Sequence, residues 1–425
     1  MATIKLYPHQ EDVLHRIHNK CVLYGGTGSG KSRTALAYYY KYVVKGDLKI
    51  QIYNTDGNLI KTVGTDKNPT EKVDLLIITT PQKRDKLEWE EELVPFRLFT
   101  DSSLNSKKIN VVIDSWNNIK KYVKPTIGWF IIFDEQRLTG SGAWVKSFLK
   151  LSRKNQWMVL SATPGDSYYE YVPLFIANGF VKNKQEFNND FVIFDPYTPF
   201  PKIKEYRNID VLDKLRDSIL ISMPDQRKTT QIHKYIECDY DKDLYRKIVD
   251  KRWDPWNDKP IEETGKLCYL MRRVPNSDIS RAKKLKELIK SSKKVIVFYN
   301  FTYELEMIRS VCSDLHVFFS EWNGEAHTAI GTGGTWVYAV QYMGCEGWNC
   351  ITTNTIIFLS QTYSYKQMIQ AAGRIDRIDT KFTDLYYYHL VSKCPIDGSI
   401  RMALKNKKNF NESAYIRSLD ASRKR

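Results

Sequence analysis

The stretch from Gly25 to Ser32 reads Gly-Gly-Thr-Gly-Ser-Gly-Lys-Ser, and it leaves this chain few architectures. It follows a short apolar run, Cys21-Val22-Leu23-Tyr24, and precedes a helix-like segment, Arg33 to Tyr42. Strand, glycine loop, helix is the order in which GxxxxGK[ST] cradles a phosphate. Gly25, Gly26, Gly28 and Gly30, with Thr27 and Ser29 between them, let backbone N–H groups turn inward with no Cβ in the way. Lys31 adds a positive charge for β- and γ-phosphates. The Ser32 hydroxyl can ligate Mg²⁺, and a helix N-terminus favours the anion. A glycine-rich turn that matches by chance would not need the strand and helix on either side.

Four more apolar runs follow: Leu75 to Thr80, Val111 to Ile113, Trp129 to Phe133 and Trp157 to Leu160. Continuous apolar strands suit a parallel sheet covered on both faces. What stands at their ends carries chemistry. Phe133 runs into Asp134-Glu135, the form of a Walker B strand. Its first carboxylate holds Mg²⁺, and its second orients and deprotonates the attacking water. Gln82-Lys83-Arg84 is basic just past a strand, where open α/β sheets bind ligands. Ser161-Ala162-Thr163-Pro164-Gly165 puts small hydroxyls at another strand end, able to link a nucleotide site to a neighbouring domain or simply to cap a turn. Upstream, residues 4–20 read as a helix started by Pro8. There Gln10 is either an adenine contact or a surface glutamine. Residues 43–72 read as a loop or hairpin, and the acidic run Glu88 to Glu92 around Trp89 as a helix face.

Prolines 196, 199, 201 and 224 interrupt the pattern, so the expected organisation is a domain over 1–205, a linker over 206–230 and a second domain over 231–425. Residues 231–292 look mixed, with a basic helix near Arg281 to Lys290. Trp253 and Trp256 flank Pro255, where they can stack on bases or pack under a loop. Strands then return at Lys294 to Tyr299, Val317 to Phe319, Trp336 to Gln341, Thr355 to Ser360 and Leu385 to Val391, the pattern of a second parallel α/β domain. No second P-loop appears, so one nucleotide per chain is expected.

The formal net charge of +16 favours a polyanionic partner, nucleic acid first, over a merely solvated basic surface. Seven cysteines without a CxxC pair fit a reducing compartment and argue against a zinc site. No apolar run approaches the ~20 residues that span a bilayer. The opening MATIKLYPHQ has no secretory core, so an intracellular, cytoplasmic location is expected.

Gln370-Ala371-Ala372-Gly373-Arg374-Ile375-Asp376-Arg377 fits QxxGRxxR. Residues 365–373 read as helical, and Arg374 and Arg377, three apart, share one helical face. Two guanidiniums there can clamp a transferring phosphoryl group.

P-loop, DExx, SATP and QxxGRxxR, in that order, resemble the superfamily 2 helicases and translocases, above all the Swi/Snf-type branch in compact viral and phage form. Ile77 to Trp89, Val112 to Asn118, Lys294 to Phe301, Glu321 to Gly324 and Gly344 to Asn349 carry the likeness further, across nearly the whole chain. The resemblance implies two tandem RecA-like domains, ATP and Mg²⁺ as cofactors, and nucleic acid, DNA before RNA, as partner. It implies Gln10 at adenine, Lys31 and Ser32 on phosphates and Mg²⁺, Asp134 on Mg²⁺ and Glu135 as base. Ser161 and Thr163 would couple hydrolysis to movement, and Gln370, Arg374 and Arg377 would complete the site. Gln82, Lys83, Arg84, Ser115, Phe301, Glu346 and Gly347 fall in nucleic-acid or coupling motifs. The tetrad Asp134-Glu135-Gln136-Arg137 departs from the family pattern after its second residue.

The leading expectation is an ATP-dependent translocase acting on DNA in viral replication, repair or recombination. A protein partner in those processes is left open. The alternative is a nucleotide-gated binding or remodelling ATPase that does not move processively. A small-molecule P-loop kinase would not need the strands after residue 290.

Overall fold

The computed structural model of the chain describes every residue except 1–3, 27, 55–56, 136–137, 139, 163, 166, 197–200, 202, 225–228, 345–347, 378–379 and 424–425. The chain divides into two units, Met1–Arg227 and Lys228–Arg425.

In the first unit, β1 (Cys21–Tyr24), β2 (Leu75–Thr79), β3 (Val111–Ser115), β4 (Phe130–Asp134), β5 (Gln156–Ser161) and β6 (Leu220–Ser222) form a six-stranded sheet in the order β6-β1-β5-β4-β2-β3. Every pairing is parallel. Alternation along each strand explains the uninterrupted apolar runs. Leu75, Ile77, Phe130 and Ile132 enter the core on one face, and Leu76, Ile78, Ile131 and Phe133 the core on the other. Each such side chain contributes about 1.5–3 kcal/mol when fully buried. A strand inserted between the P-loop strand β1 and the carboxylate strand β4 is the RecA-like arrangement. It brings the loops after β1, β5, β4 and β2 to one edge of the sheet.

The second unit repeats the plan. β7 (Thr230–Cys238), β8 (Lys294–Tyr299), β9 (Phe318–Trp322), β10 (Trp336–Gln341), β11 (Thr355–Phe358) and β12 (Asp384–Ser392) run parallel in the order β7-β12-β11-β8-β10-β9. Val295 and Val297 face one core, Ile296 and Phe298 the other. The expected fold class, α/β with two tandem parallel-sheet units, is therefore present.

Three local readings change. Residues 4–20 are not one helix: Ile4–Leu6 is a strand, and the helix α1 is Pro8–Leu14. Ile4–Leu6 pairs with Ile50–Tyr53, and that strand in turn forms a hairpin with Leu59–Val63. The segment 206–230, read as linker, holds a helix, Ile209–Ile219, and the strand β6, whose Ile221 pairs with Leu23 of the P-loop strand. In the stretch read as mixed, β7 is an edge strand, exposed along most of its length. It therefore lacks the apolar run that marks a buried strand.

No helix among the described residues is long and apolar enough to cross a membrane. The described cysteines are free thiols, all buried.

Candidate active site

Gly28 (φ 85°) and Gly30 (φ 81°) sit in the left-handed region. Only glycine takes that conformation without strain, and it turns the chain from β1 into the helix α2 (Lys31–Tyr38). Among the described residues no side chain caps α2, so its first N–H groups are left to an anion. Lys31 Nζ donates to the carbonyls of Gly25 (2.8 Å) and Gly26 (2.9 Å), and Ser32 follows in the first helical turn. The Ser29 hydroxyl is buried with no partner among the described residues. A Cβ on Gly25 would stand 3.0 Å from Met223, just past β6, and 3.0 Å from Ser29 Oγ. A narrow, backbone-lined cradle with an orphaned hydroxyl and an adjacent ammonium fits a nucleotide's phosphates.

Gln10 lies against the same loop, on the buried side of α1. Its Oε1 accepts from the Tyr7 N–H (3.0 Å), and its Nε2 donates to the Ser29 carbonyl (3.1 Å). The residue expected at the adenine edge thus braces the P-loop at its Ser29–Gly30 corner.

Asp134 ends β4 and is 3% exposed. Three donors converge on its Oδ2: Thr79 Oγ1 (2.8 Å), Lys83 Nζ (2.9 Å) and Trp89 Nε1 (3.1 Å). Trp116 Nε1 donates to its carbonyl at 2.8 Å. These contacts hold the carboxylate in one orientation. Glu135, at φ 57°, takes a left-handed turn off the strand, and its Oε1 stands 3.5 Å from Lys83 Nζ.

Lys83, expected among the nucleic-acid contacts, is placed on the carboxylate pair. Burial works against its charge, but the Asp134 and Glu135 carboxylates outweigh burial and raise its pKa above the ordinary lysine value. It lies on the short helix α3 (Pro81–Asp85), capped by the Thr80 side chain. Its neighbour Gln82 has a buried Oε1 without a partner among the described residues. Arg84 turns the other way. Its Nη1 donates to Asp114 Oδ1 (3.1 Å) and to Ser115 Oγ (3.3 Å). Burial alone would raise the Asp114 pKa, but hydrogen bonds from Asn118, Tyr122, the Ser115 N–H and Arg84 bring it below the usual value. Ser161 ends β5, and its carbonyl accepts from Gly25 N–H at 3.2 Å, joining that strand end to the P-loop.

In the second unit, the helix α4 is Thr264–Asn276, α5 is Thr302–Leu315 and α6 is Tyr365–Ala372. Gln370 is buried on α6. The helix stops there. Gly373 is its C-cap, and Arg374 N–H bonds the Ala371 carbonyl in a tight turn. Arg374 and Arg377 therefore do not share a helical face, which corrects the expectation drawn from their spacing. Arg374 is buried, donates from Nη1 to the Trp348 carbonyl (2.7 Å) and keeps an Nε with no partner among the described residues. Phe301 caps the start of α5, stacked on Tyr303 at 5.4 Å with the Arg272 guanidinium 4.9 Å from its ring. Thr27, Gln136, Arg137, Thr163, Glu346 and Gly347 lie outside the described residues.

Sequence reading missed two Asp134 partners, Thr79 and Trp89. Thr79 was counted only as the tail of an apolar run. Trp89 was hidden inside an acidic helix, and its indole N–H, the only polar atom of that ring, was the available signal.

No family model matches the chain, and no curated protein matches it. Among solved structures it is similar to the Sulfolobus solfataricus SWI2/SNF2 ATPase core in complex with dsDNA. That likeness has 15% identity over 94% of this chain and 90% of the other, at a TM-score of 0.39. It is also similar to the C-terminal part of the Fun30 ATPase domain, with 14% identity over 44% of this chain and 94% of the other, at a TM-score of 0.35. Both likenesses are remote.

Proposed function

We propose that the chain is an ATP-dependent translocase on nucleic acid, with DNA preferred to RNA. The observation that supports this most is the meeting of two half-sites on one sheet edge. The P-loop runs into Lys31, and Asp134 and Glu135 stand two strands away, with Thr79, Lys83 and Trp89 all donating to one Asp134 oxygen. Lys31 would take the phosphates. Ser32 and Asp134 would hold Mg²⁺, and Glu135 would receive a proton from water. Bound Mg²⁺–ATP supplies the cleavable phosphoanhydride and neutralises charge on its oxygens. Thr79, Trp89 and Lys83 keep Asp134 oriented, and the Lys83 ammonium stands against both carboxylates. Gln370, Arg374 and Arg377 are assigned to the transferring phosphoryl group. Ser161 and Thr163 are assigned to coupling. Gln82, Arg84, Ser115, Phe301, Glu346 and Gly347 are assigned to nucleic acid. A role in viral DNA replication, repair or recombination follows from the sequence resemblance alone.

The test is ATPase rate with single-stranded, duplex and forked DNA and with RNA, each at two salt concentrations. DNA should raise the rate, and binding should weaken steeply with salt as phosphate contacts are screened. A rate indifferent to every nucleic acid would refute the proposal.

A further inference from the structure

The structure separates the two tryptophans around Pro255. They lie on a small hairpin, Trp253–Asp254 paired with Lys259–Pro260. Trp253 is tied down, its Nε1 donating to Asp258 at 3.1 Å. Trp256 is 38% exposed at the tip.

The tip is rigidly built. Asp254 is fully buried, and its Oδ1 accepts from the Trp256 (3.0 Å) and Asn257 (3.2 Å) N–H groups. Its Oδ2 accepts from Asn257 Nδ2 (2.8 Å) and pairs with Lys266 Nζ (3.2 Å). A buried carboxylate is thus committed to a turn whose product is an exposed indole.

Behind the indole lies Arg273 of α4, its guanidinium 4.4 Å from the ring centroid and 5.7 Å from that of Tyr303. Tyr303 in turn stacks on Phe301, which follows the C-terminal end of β8. The ladder therefore runs from the sheet edge where parallel folds present ligands out to a rigid tryptophan face. Among the described residues no carboxylate pairs with Arg273, so its N–H edge is available to an anion. An arginine–tyrosine cluster in the first unit makes the contrast. Around the roughly 410 Å³ cavity lined by Tyr24, Tyr168 and Tyr206, Arg216 is already bound by Asp213 (2.9 Å) and Asp217 (3.0 Å). Two carboxylates already compensate its charge.

We propose that Trp256 and Arg273 form a stacking site for one unpaired nucleotide, with the base on the indole and its phosphate at the guanidinium. The site rests on the nucleic-acid reading above, and it adds a contact that distinguishes single-stranded from duplex substrate. Aromatic side chains serve any base this way because every base presents a π-face.

The test is fluorescence anisotropy with three labelled ligands: an oligothymidylate, an abasic oligomer of equal length and a blunt duplex. Trp256→Ala should weaken oligothymidylate about tenfold and leave the abasic oligomer and duplex unchanged. Trp256→Phe should regain most of the loss, which separates stacking from any folding defect. Arg273→Gln should weaken both single strands and lower the salt slope by about 0.7. Oligothymidylate binding unchanged in Trp256→Ala, or an equal loss on all three ligands, would overturn the site while leaving the nucleic-acid reading intact. A wild-type chain that binds none of the three would overturn both.

Discussion

Gly30→Ala probes the P-loop brace with a magnitude that can be worked from the structure. At φ 81° an alanine is held in left-handed backbone, about 1–2 kcal/mol uphill. Its Cβ would also lie 2.0 Å from Gln10 Nε2. Gln10 is buried and must swing away, giving up its bonds to Tyr7 and Ser29, each worth about 1 kcal/mol. The expected loss is about 3–4 kcal/mol. Gln10→Ala alone loses the two bonds, about 2 kcal/mol. The double variant keeps the strain, loses the bonds once and has no clash, so it should stand about 2 kcal/mol above the sum of the singles. Urea unfolding of the four proteins measures the cycle, and affinity for a fluorescent ATP analogue should follow the same order. Strictly additive losses would show that Gln10 does not brace the loop.

Three further outcomes are expected. Lys83→Met leaves Asp134 and Glu135 without their shared cation, so its melting temperature should fall in metal-free buffer and recover in part with millimolar Mg²⁺. An unchanged melting curve would contradict the ion pair. His389 is held neutral by burial and by His233, 2.9 Å away, with its pKa lowered to about 3. Below pH ~6.5 the unfolded chain takes up a proton that the folded one refuses, so stability should fall by about 2 kcal/mol from pH 6.5 to 5. His389→Phe should lose that part of the slope in urea unfolding at the two pH values, and an identical slope would refute it. Arg377→Ala should keep ATP binding while hydrolysis drops by about 10³ or more. Equal loss of binding and rate would remove it from the phosphoryl site.

Most of the central strands could be read because parallel strands buried on both faces are unbroken apolar runs, as at Leu75–Thr79 and Phe130–Asp134. β6 and β7 could not. Leu220–Ser222 is three residues long beside Pro224, and Thr230–Cys238 is an exposed edge strand with charges along it. Both depend on a neighbour for their structure rather than on their own pattern. In the site, the residue types that declare a chemistry were readable: Lys31, Asp134 and Glu135. Their orientation was not. Spacing could not show that Lys83 folds onto the carboxylates while Arg84, one residue on, points to Asp114, because that divergence comes from the short capped turn at Thr80. Nor could it show that α6 ends before Arg374: the i, i+3 spacing of Arg374 and Arg377 reads as helix, while the chain turns off at Gly373.

The central claim is movement driven by ATP, and displacement of a third strand from a duplex measures it directly. The wild-type chain should release the triplex-forming strand with ATP. Glu135→Gln should bind the same duplex and release nothing. ATP hydrolysis stimulated by DNA with no strand displaced would contradict translocation and leave a nucleotide-gated binder.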